Sequence, residues 1–242
     1  MTDRLVLITG ATTGIGREVA GQLAEHGATV LVSARTGARA TAAAAELASR
    51  GDVRALDADL DVADAAAVAN AAAVVERGYG RLDVLINNAA AYVDWTETAT
   101  NADLEAAARV VGTNLFGGWR TAVAFLPLLR RSAHPRIVFV SSGAGSHADE
   151  QFGLTRRGGA AATYGISKAA VNAVVSTLAA ELAGTPVIVN AVCPGLTATW
   201  PGAEQMGARP IADGAASVAW AAMLPDDGPR GGFFRDGEPL AW

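Results

Sequence analysis

A tyrosine and a lysine four residues apart carry the clearest chemical signal in the 242-residue sequence. Tyr164 and Lys168 lie at the start of a predicted helix, where this spacing places both side chains on one face. A free tyrosine, with a pKa of about 10, is too weak an acid for neutral pH, and a nearby ammonium lowers that pKa. Lys168 is the only lysine, whereas the other 18 of the 19 basic residues are arginine. The pair therefore predicts a tyrosine that acts as a general acid or base.

A glycine-rich turn follows the first predicted strand. The segment 9–16 reads TGATTGIG, and a predicted helix begins at its end. Glycines permit a tight turn and let backbone N–H groups approach a pyrophosphate, while the helix N-terminus contributes about half a positive charge. Such a turn can also be purely structural, but its place after the first strand of a βαβ unit favours nucleotide binding.

The end of the second predicted strand selects the nucleotide. A carboxylate there would bind the ribose hydroxyls of NAD, whereas a basic residue accommodates the 2′-phosphate of NADP. Ala34 stands where the carboxylate is expected, and Arg35 follows it. We therefore predict NADPH or NADP⁺ as the cofactor; the alternative is that Arg35 is an ordinary solvated arginine.

Short β-branched runs alternate with alanine-rich helical segments along the whole chain. This pattern is typical of a parallel sheet covered by helices on both faces. We predict an α/β, Rossmann-type, doubly wound sheet of seven parallel strands, in one domain spanning residues 1–242. The predicted strands are 5–9, 29–34, 53–57, 82–87, 136–141, 187–192 and 232–235. The predicted helices are 15–26, 38–50, 63–77, two stretches within 101–131, 164–182 and 213–224.

Composition argues against several classes of protein. The single cysteine, Cys193, cannot form an internal disulfide, and no histidine or cysteine cluster has metal-ligand spacing. The net charge of -5, without a basic block, argues against nucleic acid as a partner. No apolar run approaches the length of a membrane span, and the N-terminus lacks a signal-peptide pattern. We expect a cytoplasmic protein with a small-molecule substrate and no metal.

Together these motifs resemble the short-chain dehydrogenase/reductase family over essentially the whole chain. The glycine turn matches T-G-x-x-x-G-x-G, and Tyr164 with Lys168 matches Y-x-x-x-K. Further matching segments are Asp61-Val62, the N-N-A-A run 87–90, Asn114, Ser141-Ser142, and Pro194-Gly195 followed by Thr197. Seven motifs in the family's order make chance agreement a poor explanation.

The resemblance implies roles for individual residues. Tyr164 would protonate the substrate oxygen, Ser142 would hydrogen-bond that oxygen, Lys168 would lower the tyrosine pKa and hold the ribose, and Asn114 would anchor a proton-relaying water. Ser141 is instead expected to make a backbone hydrogen bond at its strand end. The implied cofactor-binding residues are Gly10, Thr12, Thr13, Gly14, Ile15, Gly16, Arg35, Asp61, Val62, Asn88, Ala89, Tyr164, Lys168, Pro194, Gly195 and Thr197.

The chain departs from the family pattern between Ser142 and Tyr164. These residues are 22 positions apart, and the long segment resembles members such as monomeric carbonyl reductases, so the protein is predicted to be either a monomer or a homo-oligomer. The segment contains Arg156 and Arg157, which are either solvated or near the mouth of a pocket. The C-terminal residues also resemble carbonyl reductases more than the ketoreductases of fatty-acid synthesis.

Three aromatic residues could line the substrate site, because ligand sites gather beyond the carboxyl ends of parallel strands. They are Tyr92, Trp95 and Trp200, although a tryptophan could equally pack a loop against the body. We predict an NADPH-dependent oxidoreductase that reduces a ketone or aldehyde to an alcohol, with an apolar, aromatic or cyclic substrate. The alternatives are an NADP-dependent alcohol dehydrogenase running in the oxidative direction and a non-catalytic NADP sensor or scaffold.

Overall fold

The computed structural model describes residues 1–242 and contains one twisted sheet with the strand order β3-β2-β1-β4-β5-β6-β7-β8. The strands are Leu5–Ile8 (β1), Thr29–Val32 (β2), Val53–Ala55 (β3), Val84–Asn87 (β4), Arg136–Val140 (β5), Ile188–Val192 (β6), Phe233–Arg235 (β7) and Glu238–Pro239 (β8). The order reverses between β1 and β4, which is the switch point of a doubly wound sheet. The predicted Rossmann-type fold is confirmed.

The sheet has eight strands rather than the predicted seven. The first seven are parallel, and β8 pairs antiparallel with β7 at the edge. Asp236 and Gly237 both have positive φ values, 56° and 82°, and this tight turn folds the chain back on itself. A strand of two residues is too short to show an alternating pattern, so the sequence did not reveal it.

Helices cover both faces of the sheet. They are Gly14–Glu25 (α1), Gly37–Leu47 (α2), Ala65–Tyr79 (α3), Leu104–Val111 (α4), Gly118–Leu129 (α5), Ala162–Glu181 (α6) and Ile211–Ala222 (α7). Helices α1, α2 and α7 bury a cluster of 23 residues against one face, and α3, α5 and α6 bury 27 against the other. None of the helices combines the length and apolar character needed to cross a membrane.

One helical segment is wound more widely than the rest. Between α4 and α5 the chain forms a π-helix over Gly112–Gly117, which includes Asn114. π-Helical turns are rare and are frequently found at functional sites. The two predicted helical stretches in this region are therefore joined by a local distortion that carries a predicted catalytic residue.

Candidate active site

The glycine turn leaves the first amide groups of α1 open to the cleft. Gly10 and Gly14 have φ values of 63° and 54°, which favour glycine. A Cβ on Gly16 would lie 2.4 Å from Nδ2 of Asn88 and 2.9 Å from the carbonyl oxygen of Gly10. Thr13 precedes α1, and its side chain does not cap the helix. The N-terminal N–H groups of α1 are therefore available to an anion. This turn can hold a pyrophosphate.

Thr9, directly after β1, and the segment after β4 support the turn. Thr9 Oγ1 accepts hydrogen bonds of 3.0 Å from the backbone N–H groups of Asn88 and Ala89. Asn88 Nδ2 donates 2.9 Å hydrogen bonds to the carbonyl oxygens of Thr9 and Gly10. The Asn88 side chain therefore braces the phosphate turn, while the residue itself lines the cleft.

Two arginines, Arg35 and Arg39, line the end of the cleft that lies beyond β2. Arg39 was missed by the sequence reasoning, although its spacing of four residues from Arg35 was an available signal. Asp61 and Val62 line the same end, and Asp61 Oδ1 accepts a 2.9 Å hydrogen bond from the N–H of Ala63. This end of the cleft offers positive charge to a ligand.

The predicted catalytic tyrosine and lysine are both buried, with exposed fractions of 8% for Tyr164 and 3% for Lys168. Lys168 Nζ lies 5.6 Å from the centroid of the Tyr164 ring and donates a 2.8 Å hydrogen bond to the carbonyl oxygen of Val140. Ser142 lines the same cleft as Tyr164 and is near enough that hydrogen bonding by its side chain lowers the Tyr164 pKa. Helix α6 and the end of β5 thus bring the three predicted residues together.

Burial shifts the pKa values of Tyr164 and Lys168 in opposite directions. It raises the pKa of Tyr164 above its usual value, with a smaller contribution from Tyr92, and the hydrogen bond with Ser142 opposes the rise. Burial lowers the pKa of Lys168 to about 8. The expected lowering of the tyrosine pKa by the lysine is therefore not found, because desolvation of the buried phenolate dominates.

The two serines at the end of β5 have different partners. Ser141 makes the expected strand-end backbone hydrogen bond, from its N–H to the carbonyl oxygen of Val192 at 2.7 Å, and its Oγ donates a 2.5 Å hydrogen bond to Oδ1 of Asn172 in α6. Ser142 Oγ accepts a 3.2 Å hydrogen bond from the N–H of Ala144, which leaves its proton free to donate. The geometry thus favours Ser142 over Ser141 as the residue that faces a substrate oxygen.

Asn114 lies behind this group, outside the main cleft. Its Oδ1 accepts a 2.7 Å hydrogen bond from the N–H of Ala91, and its Nδ2 donates 3.0 Å hydrogen bonds to the Ala91 carbonyl and to Ser167 Oγ. A cavity of about 10 Å³ is lined by both Asn114 and Lys168. That volume is on the scale of a single water molecule.

A cleft of about 1060 Å³ runs along the carboxyl ends of the strands. It is lined by every predicted cofactor-binding residue and by three of the four predicted catalytic residues, Ser142, Tyr164 and Lys168. Thr197 lines it as well, although its hydroxyl donates to the carbonyl oxygens of Pro194 and Gly195, at 3.1 and 3.2 Å. The predicted site residues thus form a continuous surface, with Asn114 adjoining it.

Aromatic side chains form the wall of the cleft near Tyr164. The Tyr92 ring stacks on the Tyr164 ring with centroids 5.3 Å apart, and the Trp95 ring meets Tyr164 edge-on at 5.5 Å. Trp200 stacks on Trp95 at 6.1 Å. The three aromatic residues singled out in the sequence come from two loops that are distant in the chain and meet at the end of the cleft that contains Tyr164.

Comparison with known proteins agrees with this architecture. The family model for short chain dehydrogenases matches residues 4–206. Short-chain dehydrogenase/reductase 1 of Saponaria officinalis is 31% identical over 290 aligned positions, which cover 97% of this chain and 95% of that protein. An α/β fold with a phosphate turn and a buried Tyr/Lys pair defines a class of nucleotide-dependent oxidoreductases. Within that class, the chain belongs to the short-chain dehydrogenase/reductase family.

Two similar solved structures contain different cofactors. The active-site complex of Pseudomonas aeruginosa RhlG with NADP has a TM-score of 0.80 and 28% identity, covering 98% of this chain and 95% of that one. A 3-oxoacyl-[acyl-carrier protein] reductase from Brucella melitensis with bound NAD has a TM-score of 0.82 and 28% identity, covering 97% and 90%. A nicotinamide cofactor is therefore common to these neighbours, and its type varies among them.

Proposed function

We propose that the protein is an NADPH-dependent carbonyl reductase that converts a ketone or aldehyde to an alcohol. The observation that carries the proposal is the buried Tyr164, which faces the same cleft as Ser142 and Lys168, with a phosphate turn at the other end of that cleft. The raised pKa keeps the proton on Tyr164 at neutral pH, and the phenol is still a stronger acid than the alcohol that forms, so it can protonate the developing alkoxide. Oxidation of an alcohol would instead need the phenolate of Tyr164 as the base. This favours reduction over the oxidative direction.

The residues of the cleft fit a nicotinamide dinucleotide. A pyrophosphate would rest on the turn from Gly10 to Gly16, where any Cβ on Gly16 would fill the space against Asn88. Arg35 and Arg39 would hold the 2′-phosphate, and no carboxylate occupies position 34. When bound, the cofactor supplies the hydride. These features support NADPH rather than NADH.

The protein's own contribution is to hold and protonate the substrate oxygen. Ser142 donates a hydrogen bond to that oxygen as negative charge develops on it, and Tyr164 donates its proton. Lys168 supplies positive charge behind the tyrosine and, with Asn114, lines a cavity through which a water can return a proton. The four residues thus stabilise the charge and replace the proton that is consumed.

The lining of the reacting end supports an apolar, aromatic or cyclic carbonyl substrate. Tyr92, Trp95 and Trp200 present ring faces and edges beside Tyr164, where a planar compound can stack. Arg157 is the one charged residue of the cleft that belongs neither to the nucleotide end nor to the Tyr/Lys pair. Cytoplasmic location and oligomeric state stay predictions.

The first experiment measures the loss of NADPH absorbance with a panel of aromatic and cyclic ketones and aldehydes. We expect turnover in the native protein and none in Tyr164→Phe, which should still bind NADPH with unchanged affinity because it loses only the phenolic hydroxyl. A Tyr164→Phe protein that retains activity contradicts the catalytic assignment. NADPH binding without turnover of any compound by the native protein favours the sensor alternative.

The second experiment tests the cofactor. Arg35→Ala and Arg39→Ala should each raise the KM for NADPH by roughly tenfold, since each removes a charged hydrogen bond to a phosphate. The KM for NADH should change little. Arg77→Ala, on exposed surface at the end of α3 and outside the cleft, is the matched control. Tighter binding of NADH than NADPH by the native protein would contradict the assignment.

A further inference from the structure

Two neighbouring residues at the end of β7 each form an ion pair with a different loop, and each pair packs against backbone that lines the cleft. Arg235 Nη2 lies 2.6 Å from Oδ2 of Asp149, which belongs to the long segment between Ser142 and Tyr164. The carboxylate of Asp236 accepts two hydrogen bonds of 2.8 Å from the guanidinium of Arg209. Opposite charges on adjacent residues thus hold two loops that come from different parts of the chain.

The first ion pair packs against the residue that follows Ser142. A Cβ on Gly143 would lie 2.3 Å from Oδ2 of Asp149 and 2.6 Å from Nη2 of Arg235. Only 3% of the Asp149 side chain is exposed. Burial opposes ionisation of Asp149, but hydrogen bonds from the N–H of Phe152 and from Arg235 hold its pKa below the usual value. The pair is therefore charged and fixed directly beside the Ser142 backbone.

The second ion pair packs in the same manner against the loop that follows β6 and contains Pro194 and Gly195. Arg209 Nε donates a 2.8 Å hydrogen bond to the carbonyl oxygen of Pro194. A Cβ on Gly195 would lie 3.1 Å from that Nε. The N–H of Asp236 donates a 2.8 Å hydrogen bond to Ser217 Oγ in α7, which ties the pair to the body of the protein.

The sulfur of Cys193 joins the two arrangements. Its Sγ accepts hydrogen bonds from the N–H of Gly143 at 3.2 Å and from the N–H of Gly195 at 3.4 Å. Arg235 Nη2 also donates to it, at 3.3 Å. One buried side chain therefore contacts both glycines and one of the two ion pairs.

We propose that Arg235 and Asp236 are positioning residues that set the two halves of the active site separately. Arg235, through Asp149, fixes the backbone that orients Ser142 toward the substrate oxygen. Asp236, through Arg209, fixes Pro194 and Gly195 against the cofactor. The inference rests on the proposed function, because it assigns Ser142 to the substrate and the loop at Pro194 to the cofactor.

The two assignments predict different kinetic effects for the same type of substitution, aspartate to asparagine. Asp149→Asn keeps the shape of the side chain and removes its charge, so we expect kcat to fall roughly tenfold while the Kd for NADPH stays unchanged. Asp236→Asn should raise the Kd and KM for NADPH roughly tenfold and change kcat less. If the two residues had a purely structural role, each variant would have a lower unfolding temperature, and its kcat and Kd for NADPH would change together.

The experiment measures NADPH binding by cofactor fluorescence and turnover by absorbance in parallel. Asp52→Asn is the matched control, because Asp52 pairs with Arg54 at 2.8 Å on exposed surface away from the cleft. Arg235→Lys is a milder second variant: its single ammonium cannot replace the contacts to both Asp149 and Cys193, so kcat should fall without a change in Kd. This variant tests the same Arg235–Asp149 contact if Asp149→Asn does not fold.

The outcomes separate the inference from the proposed function. The expected split in Kd and kcat between the two variants, absent in Asp52→Asn, supports the inference. The inference is overturned if both variants lose kcat and NADPH affinity to the same extent, or if both have the kcat and Kd of the control. If the native protein reduces no compound, the proposed function fails, whereas the inference is still decided by NADPH binding: weaker binding in Asp236→Asn alone supports it, and any other pattern overturns it.

Discussion

Burial is the main influence on the two reactive side chains. Tyr164 and Lys168 lie within the protein, where the charged form of each loses its hydration. The tyrosine therefore holds its proton more firmly, and the lysine releases its proton more readily, than either would in water. In the proposed reaction Tyr164 is the acid throughout the neutral pH range, and the protonation state of Lys168 sets the upper pH limit of activity.

The rate of reduction should therefore depend on the protonation of Lys168. Its pKa is lowered to about 8, so the ammonium is present below that pH and is lost above it. We expect kcat/KM for carbonyl reduction to be level near neutrality and to fall as the pH rises through about 8.

Lys168→Arg provides the control for this pH dependence. A guanidinium remains charged throughout the accessible range, so the fall near pH 8 should disappear even where the overall rate is lower. The same fall in Lys168→Arg would assign the titration to another group. A native profile that stays level to pH 10 would contradict the prediction for Lys168 itself.

The structure separates the two adjacent arginines of the long segment. Both arginines are exposed, but only Arg157 lines the cleft, and it donates a 3.0 Å hydrogen bond to the carbonyl oxygen of Phe152. Arg157 also has a φ of 56°, an uncommon conformation for a residue with a side chain. These facts favour a location near the pocket mouth for Arg157 and a solvated location for Arg156.

Arg157 should therefore favour substrates with a negative group. With 4-acetylbenzoate and its methyl ester as a matched pair, Arg157→Gln should raise the KM of the acid by about two- to fivefold and leave that of the ester unchanged. Arg156→Gln is the control and should change neither. Equal effects of the two substitutions on the acid would show only a general change of surface charge.

At the scale of elements, the site depends on the close approach of the first turn of α1 to the segment after β4. Gly16 has no room for a methyl group, since its Cβ would lie 2.4 Å from Nδ2 of Asn88. Gly16→Ala should displace Asn88, open the phosphate turn and weaken NADPH binding at least tenfold, as fluorescence titration would measure.

Gly78→Ala is the matched control for that substitution. Gly78 lies within α3, and a Cβ there meets nothing within 4 Å. The change should leave NADPH binding unaffected and stabilise the protein by about 0.5–1 kcal/mol, because alanine favours the helix. NADPH binding that is unchanged in Gly16→Ala would mean that the turn tolerates the displacement.

Across the whole molecule, the buried carboxylate of Asp83 and the proposed active site lie at opposite edges of the sheet. Asp83 precedes β4 at the amino edge, and only 4% of it is exposed. Its carboxylate accepts a 2.7 Å hydrogen bond from the N–H of Leu5 and a 2.5 Å hydrogen bond from Ser132 Oγ. One side chain thus joins the start of β1 to the segment between α5 and β5, away from the cleft at the carboxyl edge.

Asp83→Ala should therefore lower stability without changing catalysis. It leaves the buried N–H of Leu5 unpaired, which costs about 1–3 kcal/mol. At about 2–4 °C per kcal/mol for a chain of this size, the unfolding temperature should fall measurably, while kcat and KM at room temperature stay unchanged. Asp227→Ala, on exposed surface, is the control. A loss of activity in fully folded Asp83→Ala would contradict the separation of the two edges.

The sequence by itself determined the seven parallel strands, the phosphate turn, and the Tyr164–Lys168 pair with Ser142. These features are local: strand and helix periods, glycines at positive φ, and a spacing of one helical turn are all written in neighbouring residues. The carboxyl ends of parallel strands meet at one edge, so the topology itself brings these motifs together.

Only the tertiary structure decided the features that depend on distant contacts. The Arg235–Asp149 pair joins positions 86 residues apart, and no local pattern relates them. The orientation of Arg157 away from Arg156, the place of Arg39 in the cleft and the meeting of Trp95 with Trp200 depend on how loops pack. The pKa of Tyr164 likewise follows from burial, which a motif does not encode, and burial reversed the shift expected from its lysine neighbour.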